Sequence, residues 1–430
     1  MRTIRFFSSD KPALRVMLLL FLVFTGTGIF AQQDGLQQTT LYRGEVLNDM
    51  SGDPIASAQL SVSGTNISTI TNSSGEFSLK IPSDLRNSKV TISALGYNSS
   101  TLPLESFKRD ENTIVRLQEA AEELGEVSLY YTKDARSLVQ NMLNKRGENY
   151  FTEETEMTAF YRETIKKRRR NVSLSEAVVK IHKQPYDSGK KDDVALYKAR
   201  KSSDYKRLDT IALKLRGGPF NALYVDVMKY PEFLFQQDAL DIYKFSFDKP
   251  TMLNKRYIYV VNFNQRQKDM PWYHGQLFID AESLTLVKAK YSLNVDNRSA
   301  AARMFVMKKP AGARVYPVEV GYQIDYRKSD GKWYYGYGQA QLEFVVNWKH
   351  KLFNSHYTLD SEMAVTDWEK YTKRKSGEKP DYIKPSVVMS DDVSGFADVE
   401  FWGETNIIEP DKPIQNAIRK IQRQLERKNN

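Results

Sequence analysis

Gln339-Ala-Gln-Leu-Glu-Phe-Val-Val-Asn-Trp348 sets Ala340, Leu342, Phe344, Val346 and Trp348 on one side of an extended chain. Gln339, Gln341, Glu343 and Asn347 fall on the other. Side chains alternate across a strand with period two, so the stretch reads as a β-strand with one apolar and one polar face. Such a strand belongs in an antiparallel sheet with one packed face and one wet outer face. Just before it, Gly336 and Gly338 predict a bend or bulge that curls the sheet. Further back, Lys328-Ser-Asp-Gly-Lys332 has the Asp-Gly pair of a tight hairpin turn, preceded by Tyr322, Ile324 and Tyr326 on one strand face. Tyr257, Tyr259, Val261 and Phe263 share a face in an earlier strand.

The same β pattern fills most of the chain beyond Asn149-Tyr150. Ahead of it, Val127 to Tyr131 is strand-like, and a helix is predicted with Thr132 as N-cap and Leu138, Val139, Met142 and Leu143 on one face. Met157 to Ile165 and Val172 to Ile181 read as strands flanking the densest basic run, Lys166-Lys-Arg-Arg-Arg170. That run is expected at a solvated hairpin tip, where Lys167, Arg168, Arg169 and Arg170 are candidates for contact with an anionic surface. The chain ends in a predicted helix capped by Asp411, with Pro413 in the first turn and Ile414, Ala417, Ile418, Ile421 and Leu425 as its apolar stripe. Residues 41–119 break into about seven short strands separated by Gly, Pro, Asn and Asp turns, the spacing of a small antiparallel sandwich. The fold class is therefore mainly β: a seven-stranded β-sandwich, then a larger curved antiparallel sheet with a few helices.

Within the sandwich region, Gly44, Val46, Asp49, Gly52-Asp-Pro-Ile55 and Ala58 lead into Ser63-Gly-Thr65 and Thr71-Asn72. Gly75-Glu-Phe77, Ile81-Pro82, Ile92-Ser93 and Gly96-Tyr97 complete the series. It resembles the carboxypeptidase regulatory-like domain, a transthyretin-like sandwich fused to many envelope proteins of Gram-negative bacteria. In metallocarboxypeptidases that domain is an accessory module, and hydrolysis needs a separate zinc domain with a His-x-x-Glu pair. Here the residues three beyond His182, His274, His350 and His356 are Pro185, Leu277, Phe353 and Leu359. Peptidase activity does not come with the resemblance. Gly275-Gln-Leu-Phe-Ile-Asp280 running through Leu284-Thr-Leu286 resembles a hairpin of the periplasmic lipoprotein-carrier superfamily, which implies a half-barrel curved around an apolar cavity. Ala159-Phe-Tyr-Arg-Glu163 and Phe401-Trp-Gly-Glu-Thr-Asn-Ile-Ile-Glu-Pro410 resemble pieces of an uncharacterised envelope family that carries the same regulatory-like domain.

At the N-terminus, Arg2, Arg5 and Arg15 precede an apolar run from Val16 to Phe24 and small residues up to Ala31. That is the pattern of a cleaved secretory signal, and the run is short of the roughly 20 residues needed to span a bilayer. The predicted organisation is a signal peptide over 1–31, a linker over 32–40, the sandwich over 41–119 and a connector over 120–131. The antiparallel domain with its leading helix covers 132–410, and the C-terminal helix 411–430. No transmembrane segment is expected in the mature chain, which is placed in the periplasm or at the outer-membrane periphery. With no cysteine in 430 residues, stability must come from core burial. The net charge of +10 includes +3 from residues 1–31 (Arg2, Arg5, Lys11, Arg15 and Asp10), and the remaining charge of about +7 suits anionic headgroups or peptidoglycan, while nucleic acid is not an expected partner of an exported protein. Ser203-Asp-Tyr-Lys206 has the Ser-x-x-Lys spacing without its companion motifs, and His350 with His356 lacks zinc spacing, so neither cofactor nor metal is predicted. Trp272-Tyr273 and Trp333, Tyr335 and Tyr337 are candidates for an exposed platform for glycan or lipid. The expectation is a non-enzymatic binding or scaffolding protein whose partner is an envelope protein, lipid or glycan. The alternatives are a carboxylate-based hydrolase, or an accessory module of a TonB-dependent outer-membrane transport system.

Overall fold

A computed structural model describes residues 39–109, 111–120, 134–204, 218–235, 239–305, 312–349, 352–372, 380–387, 394–398 and 400–429. Seven strands come first: β1 (Thr39–Asn48), β2 (Gln59–Val62), β3 (Ser68–Ile70), β4 (Glu76–Pro82), β5 (Lys89–Ser93), β6 (Ser100–Pro103) and β7 (Thr113–Leu117). They form two sheets, ordered β4-β1-β7 and β3-β2-β5-β6, which close on Val46, Leu60, Phe77, Leu79, Val90 and Ile92. The predicted sandwich is there with one difference: β7 returns beside β1 in the same direction, so that pair is parallel.

After this comes α1 (Ala135–Asn144), then α2 (Arg146–Asn149). Asp134, not Thr132, caps α1, its carboxylate accepting from the backbone N–H groups of Arg136 and Ser137. Thr132 and the strand-like Val127 to Tyr131 lie outside the described residues. Leu138, Val139 and Met142 are buried as the helical spacing requires.

The large sheet is built from β8 (Thr155–Lys167), β9 (Arg170–Lys183), β10 (Asp193–Ser203), β11 (Tyr243–Leu253), β12 (Arg256–Gln265), β13 (Tyr273–Asp280), β14 (Leu286–Leu293), β15 (Ala313–Ser329), β16 (Lys332–Trp348), β17 (Ser355–Lys370) and the short β18 (Tyr382–Ile383). Its eleven strands run in the order β11-β12-β13-β14-β15-β16-β17-β8-β9-β10-β18. The paired strands are antiparallel throughout. Asp330 and Gly331 turn β15 into β16, both with positive φ (49° and 81°), as a two-residue hairpin demands. At β13–β14, the buried Asp280 carboxylate accepts from the backbone and hydroxyl of Ser283 and from Arg256, which fixes that hairpin.

One face of the sheet packs Met157, Ala159, Tyr161, Ala177, Val179, Ile181, Ile324 and Met363 against α1 and the segment 218–235, which contains α3 (Phe220–Leu223). Gly338 lets α3 come this close: a Cβ there would sit 2.5 Å from the Ala222 carbonyl oxygen. The predicted irregularity falls beside it, where the β15–β16 register shifts between Asp325 and Tyr326. Tyr335 thus turns into the core and Tyr337 to the opposite face.

That opposite face is not simply wet. Phe160, Val178, Ala364 and Tyr337 are covered by Ile70 of β3 and by Trp402 and Ile408 of the C-terminal segment. Further along, α5 (Lys412–Asn429) lays Ile414 and Ile421 against Leu174 of β9 and Phe396. Asp411 caps this helix, as predicted: its carboxylate accepts from Ile414 N at 3.0 Å. The helix between β14 and β15 is α4 (Arg298–Phe305). Among the described residues no helix is long and apolar enough to cross a membrane.

Candidate functional site

The two sequence pieces singled out by resemblance, Ala159–Glu163 and Phe401–Pro410, meet in the structure. Phe160 packs edge-on to Trp402 at 5.4 Å, and Arg162 Nη2 donates to the Ile408 carbonyl at 2.8 Å. The segment 401–410 lies between the sandwich and the sheet and is stitched to both. Asn406 acts as a substitute strand: it accepts from Lys80 N at 2.6 Å and donates to Lys80 O at 3.0 Å. Thr69 Oγ1 donates to Ile407 O at 3.1 Å and Asn72 Nδ2 to Glu409 O at 3.1 Å. Asn66 Nδ2 donates directly to the Trp368 carbonyl of β17 at 2.7 Å. Arg327 reaches across Gly336 to donate to Ser68 Oγ and to the Val365 carbonyl, both at 2.5 Å. The sandwich is therefore riveted to the sheet through polar groups as well as apolar ones.

Arg162 is the hub of this seam. It is almost wholly buried, 2.8 Å from Glu176 and 3.3 Å from Glu362, and Glu176 is also held by Arg200 at 2.6 Å. Burial alone would pull the proton from Arg162, but the flanking carboxylates outweigh it and hold the guanidinium charged more firmly than usual. Burial would also push Glu176 up; the two guanidiniums outweigh it and hold the carboxyl below its ordinary range. Glu362 goes the other way. Burial pushes it up to about 7, with Asp360 adding to the rise and Arg162 resisting it.

A cleft of about 180 Å³ opens here, lined by Arg162, Lys166, Asp360, Glu362, Glu409 and Asp411 among others. Burial raises the carboxyls of Asp360 and Glu409 as well. A second cavity of about 280 Å³ shares Ser57 and Tyr337 with it and is lined by Lys288, Lys290, Asp325 and Arg327. The seam is thus acidic toward the C-terminal helix and basic toward β14.

The raised Glu362 gives a pH prediction. A carboxyl whose folded pKa stands above its ordinary value contributes stability that is full below about 4.5 and is lost as pH rises through about 7. Glu362→Gln keeps a neutral side chain at all pH. The stability difference between wild type and variant should therefore move by about 2–3 kcal/mol against wild type between pH 5 and pH 8. Urea unfolding at several pH values reads it, and a difference that stays flat over that range would refute the assignment.

The other sequence-predicted residues sit apart from the seam and from one another. Trp333 and Tyr335 are buried in the core, Tyr335 against α3, and Tyr337 is buried beneath the sandwich. They offer no ring face to solvent, because the Gly336 bulge divides the aromatic run between two covered faces. Trp272 and Tyr273 are half-buried, and Tyr273 packs edge-on to Tyr291 at 5.6 Å and to Tyr322 at 6.1 Å. Arg168, Arg169 and Arg170 are exposed at the β8–β9 hairpin tip, and Lys167 is half-buried with its ammonium 5.5 Å from the Tyr357 ring. Lys206 and His350 lie outside the described residues. His182 contacts Glu154 at 3.0 Å, and His356 contacts Glu343 at 3.0 Å. Among the described residues no three His, Asp or Glu gather as a metal site would.

This geometry defines a small sandwich fastened to a large antiparallel sheet. Residues 42–129 match the CarboxypepD_reg-like domain family. Solved structures of a lipoprotein-sorting domain, a LolA superfamily protein and MucB align with about half of this chain. An outer membrane lipoprotein-sorting protein domain from Vibrio parahaemolyticus aligns at 12% identity, covering 56% of this chain and 94% of that one, with a TM-score of 0.24. A LolA superfamily protein from Nitrosomonas europaea aligns at 11% identity over 53% and 93%, with a TM-score of 0.20. The MucA/MucB complex of Pseudomonas aeruginosa aligns at 10% identity over 56% and 99%, with a TM-score of 0.19. No curated protein matches the sequence.

Proposed function

We propose that this chain is a non-enzymatic scaffolding or binding protein of the bacterial envelope, exported by its N-terminal signal, which acts through its surfaces and not by enclosing a ligand. The observation that carries this reading is the filled face of the sheet. Where an open half-barrel would receive a lipid, this one holds its own Tyr150, Tyr186, Tyr326 and Tyr335 together with Phe220 and Leu223. Tyr150 lies 4.8 Å from Tyr186 and 5.1 Å from Tyr326, ring to ring. Close packing of this kind leaves an apolar ligand nothing to displace but core side chains. The polar seam supports the same reading, since it ties the sandwich and the sheet into one platform.

The hydrolase alternative has one observation in its favour, the Glu362 carboxyl raised to about 7 beside a cleft. Asp360 and Glu362 share one wall, two residues apart on β17, while Glu409 and Asp411 line the cleft from the C-terminal segment. Carboxylates that hydrolyse a glycosidic bond flank it from two sides, an arrangement these four could supply; Glu362, however, is tied to the buried Arg162 at 3.3 Å as part of the seam, and scaffolding remains the better-supported reading.

Titration with a fluorescent lipid such as N-phenylnaphthylamine separates carriage from scaffolding. The filled core predicts no saturable, one-to-one binding. Stoichiometric binding displaced by a diacylated peptide would overturn the proposal and restore the carrier.

A further inference from the structure

The end of the sheet where β8 turns into β9 and β16 into β17 has a composition that the packed core does not explain. Residues 349–354 join β16 to β17, and two of them, Leu352 and Phe353, are 97% and 77% exposed. A single exposed apolar side chain is ordinary. Here two large ones are adjacent between two strands, and they are not alone. The basic β8–β9 tip lies directly alongside: Tyr357 pairs with Lys167, and Arg168 N donates to the His356 carbonyl at 2.9 Å. Arg168, Arg169, Arg170 and Lys349 are all exposed, and among the described residues none of the three arginines has an ion-pair partner. The neighbouring acid, Glu343, is engaged with His356 at 3.0 Å.

We infer that this end of the sheet docks on an anionic lipid bilayer, with Leu352 and Phe353 entering the interface and Arg168, Arg169, Arg170 and Lys349 meeting the headgroup phosphates. Apolar insertion and headgroup attraction are the two signals that together give stable peripheral binding where either alone is weak and reversible. The rigid hairpins beneath hold both signals at one level: Phe344 and Val346 are buried a few residues below the turn, in a cluster with Ile165 and Tyr357. The inference is independent of the scaffold reading, which survives if docking fails.

The chain has no cysteine, so Phe353→Cys supplies a unique attachment point for an environment-sensitive fluorophore. The probe reports the tip alone, and the apolar residues 16–24 do not contribute to its signal. With the full chain, the fluorophore should brighten and shift to the blue on vesicles containing phosphatidylglycerol, and not on pure phosphatidylcholine. Replacing Arg168, Arg169 and Arg170 together by serine should weaken that binding about tenfold or more, as should high salt. Leu352→Ser with Phe353→Ser should reduce co-sedimentation with the same vesicles by a similar factor. The melting temperature should stay unchanged, because none of these side chains is buried. No spectral change on anionic vesicles would overturn the inference. So would equal binding to neutral vesicles that ignores the arginine substitutions. Brightening only with an envelope protein extract would also refute it and would point to a protein groove instead.

Discussion

Replacing Lys183 by methionine is expected to cost about 3–5 kcal/mol, among the largest effects of any single substitution in this chain. Lys183 is 1% exposed, and its ammonium donates to Asp192 Oδ2 and Asp226 Oδ2, each at 2.7 Å. Around it, Tyr186 and Tyr326 donate to Asp226 at 3.0 and 2.8 Å, and Tyr230 donates to Asp192 at 2.7 Å. Burial by itself would drive the lysine neutral, but the two carboxylates outweigh it and hold its pKa above the ordinary value. Methionine fills much the same space, so the loss is electrostatic: the two carboxylates lose the ammonium that bonded both, and the nearby Lys229 ammonium is engaged by the Pro185 and Ser188 carbonyls. Substituting Lys183, Asp192 and Asp226 together by neutral residues should cost less than the single change, since a missing charge network is cheaper than a broken one. Urea unfolding of the single and triple variants checks this. A cost below about 1 kcal/mol would mean that water reaches the cluster.

Much of the architecture could be read from local chemistry. The Asp330-Gly331 turn, the Asp411 cap and the basic β8–β9 tip each depend on residues adjacent in sequence. The seam could not be read in the same way. Arg162, Glu176, Arg200 and Glu362 come from β8, β9, β10 and β17, and alternation assigns them to a polar face without saying what covers it. A signal was nevertheless present. Ala159-Phe160-Tyr161, Ala177-Val178-Val179 and Met363-Ala364-Val365 are apolar on successive residues, which is the mark of a strand buried on both faces. Those runs lie in β8, β9 and β17, the strands that the sandwich and C-terminal segment cover. The buried Lys183 cluster had no comparable signature, since lysine and aspartate in a charged stretch read as solvent-facing. The aromatic run at 333–337 misled for a different reason. A platform needs rings on one face, and the bulge at Gly336 separates Tyr335 from Tyr337.

Phe344→Ala tests the reading of the strand that decided the fold. Phe344 is 3% exposed, pairs with Pro317 on β15 and Tyr357 on β17, and packs edge-on to Phe305 at 6.1 Å. Its cluster also includes Ile165, Val315, Val346 and Leu359, drawn from neighbouring strands that cannot collapse independently into the space it leaves. Truncation should therefore cost roughly 3–5 kcal/mol, as removal of a buried phenyl ring does when a cavity remains. Gln341→Ala, at an exposed position of the same strand, should stay within about ±0.5 kcal/mol. A one-residue slip would exchange the two faces and reverse the two results. The pair also bears on function, because a filled face and an open pocket respond differently. In a filled face, Phe344→Ala loses stability and gains a dry cavity that a small apolar molecule can occupy. In an open pocket the same change would leave stability nearly intact and abolish binding of a lipid probe. Equilibrium unfolding with and without the probe distinguishes them, and a large stability loss with no wild-type probe binding is the outcome that the packed cluster requires.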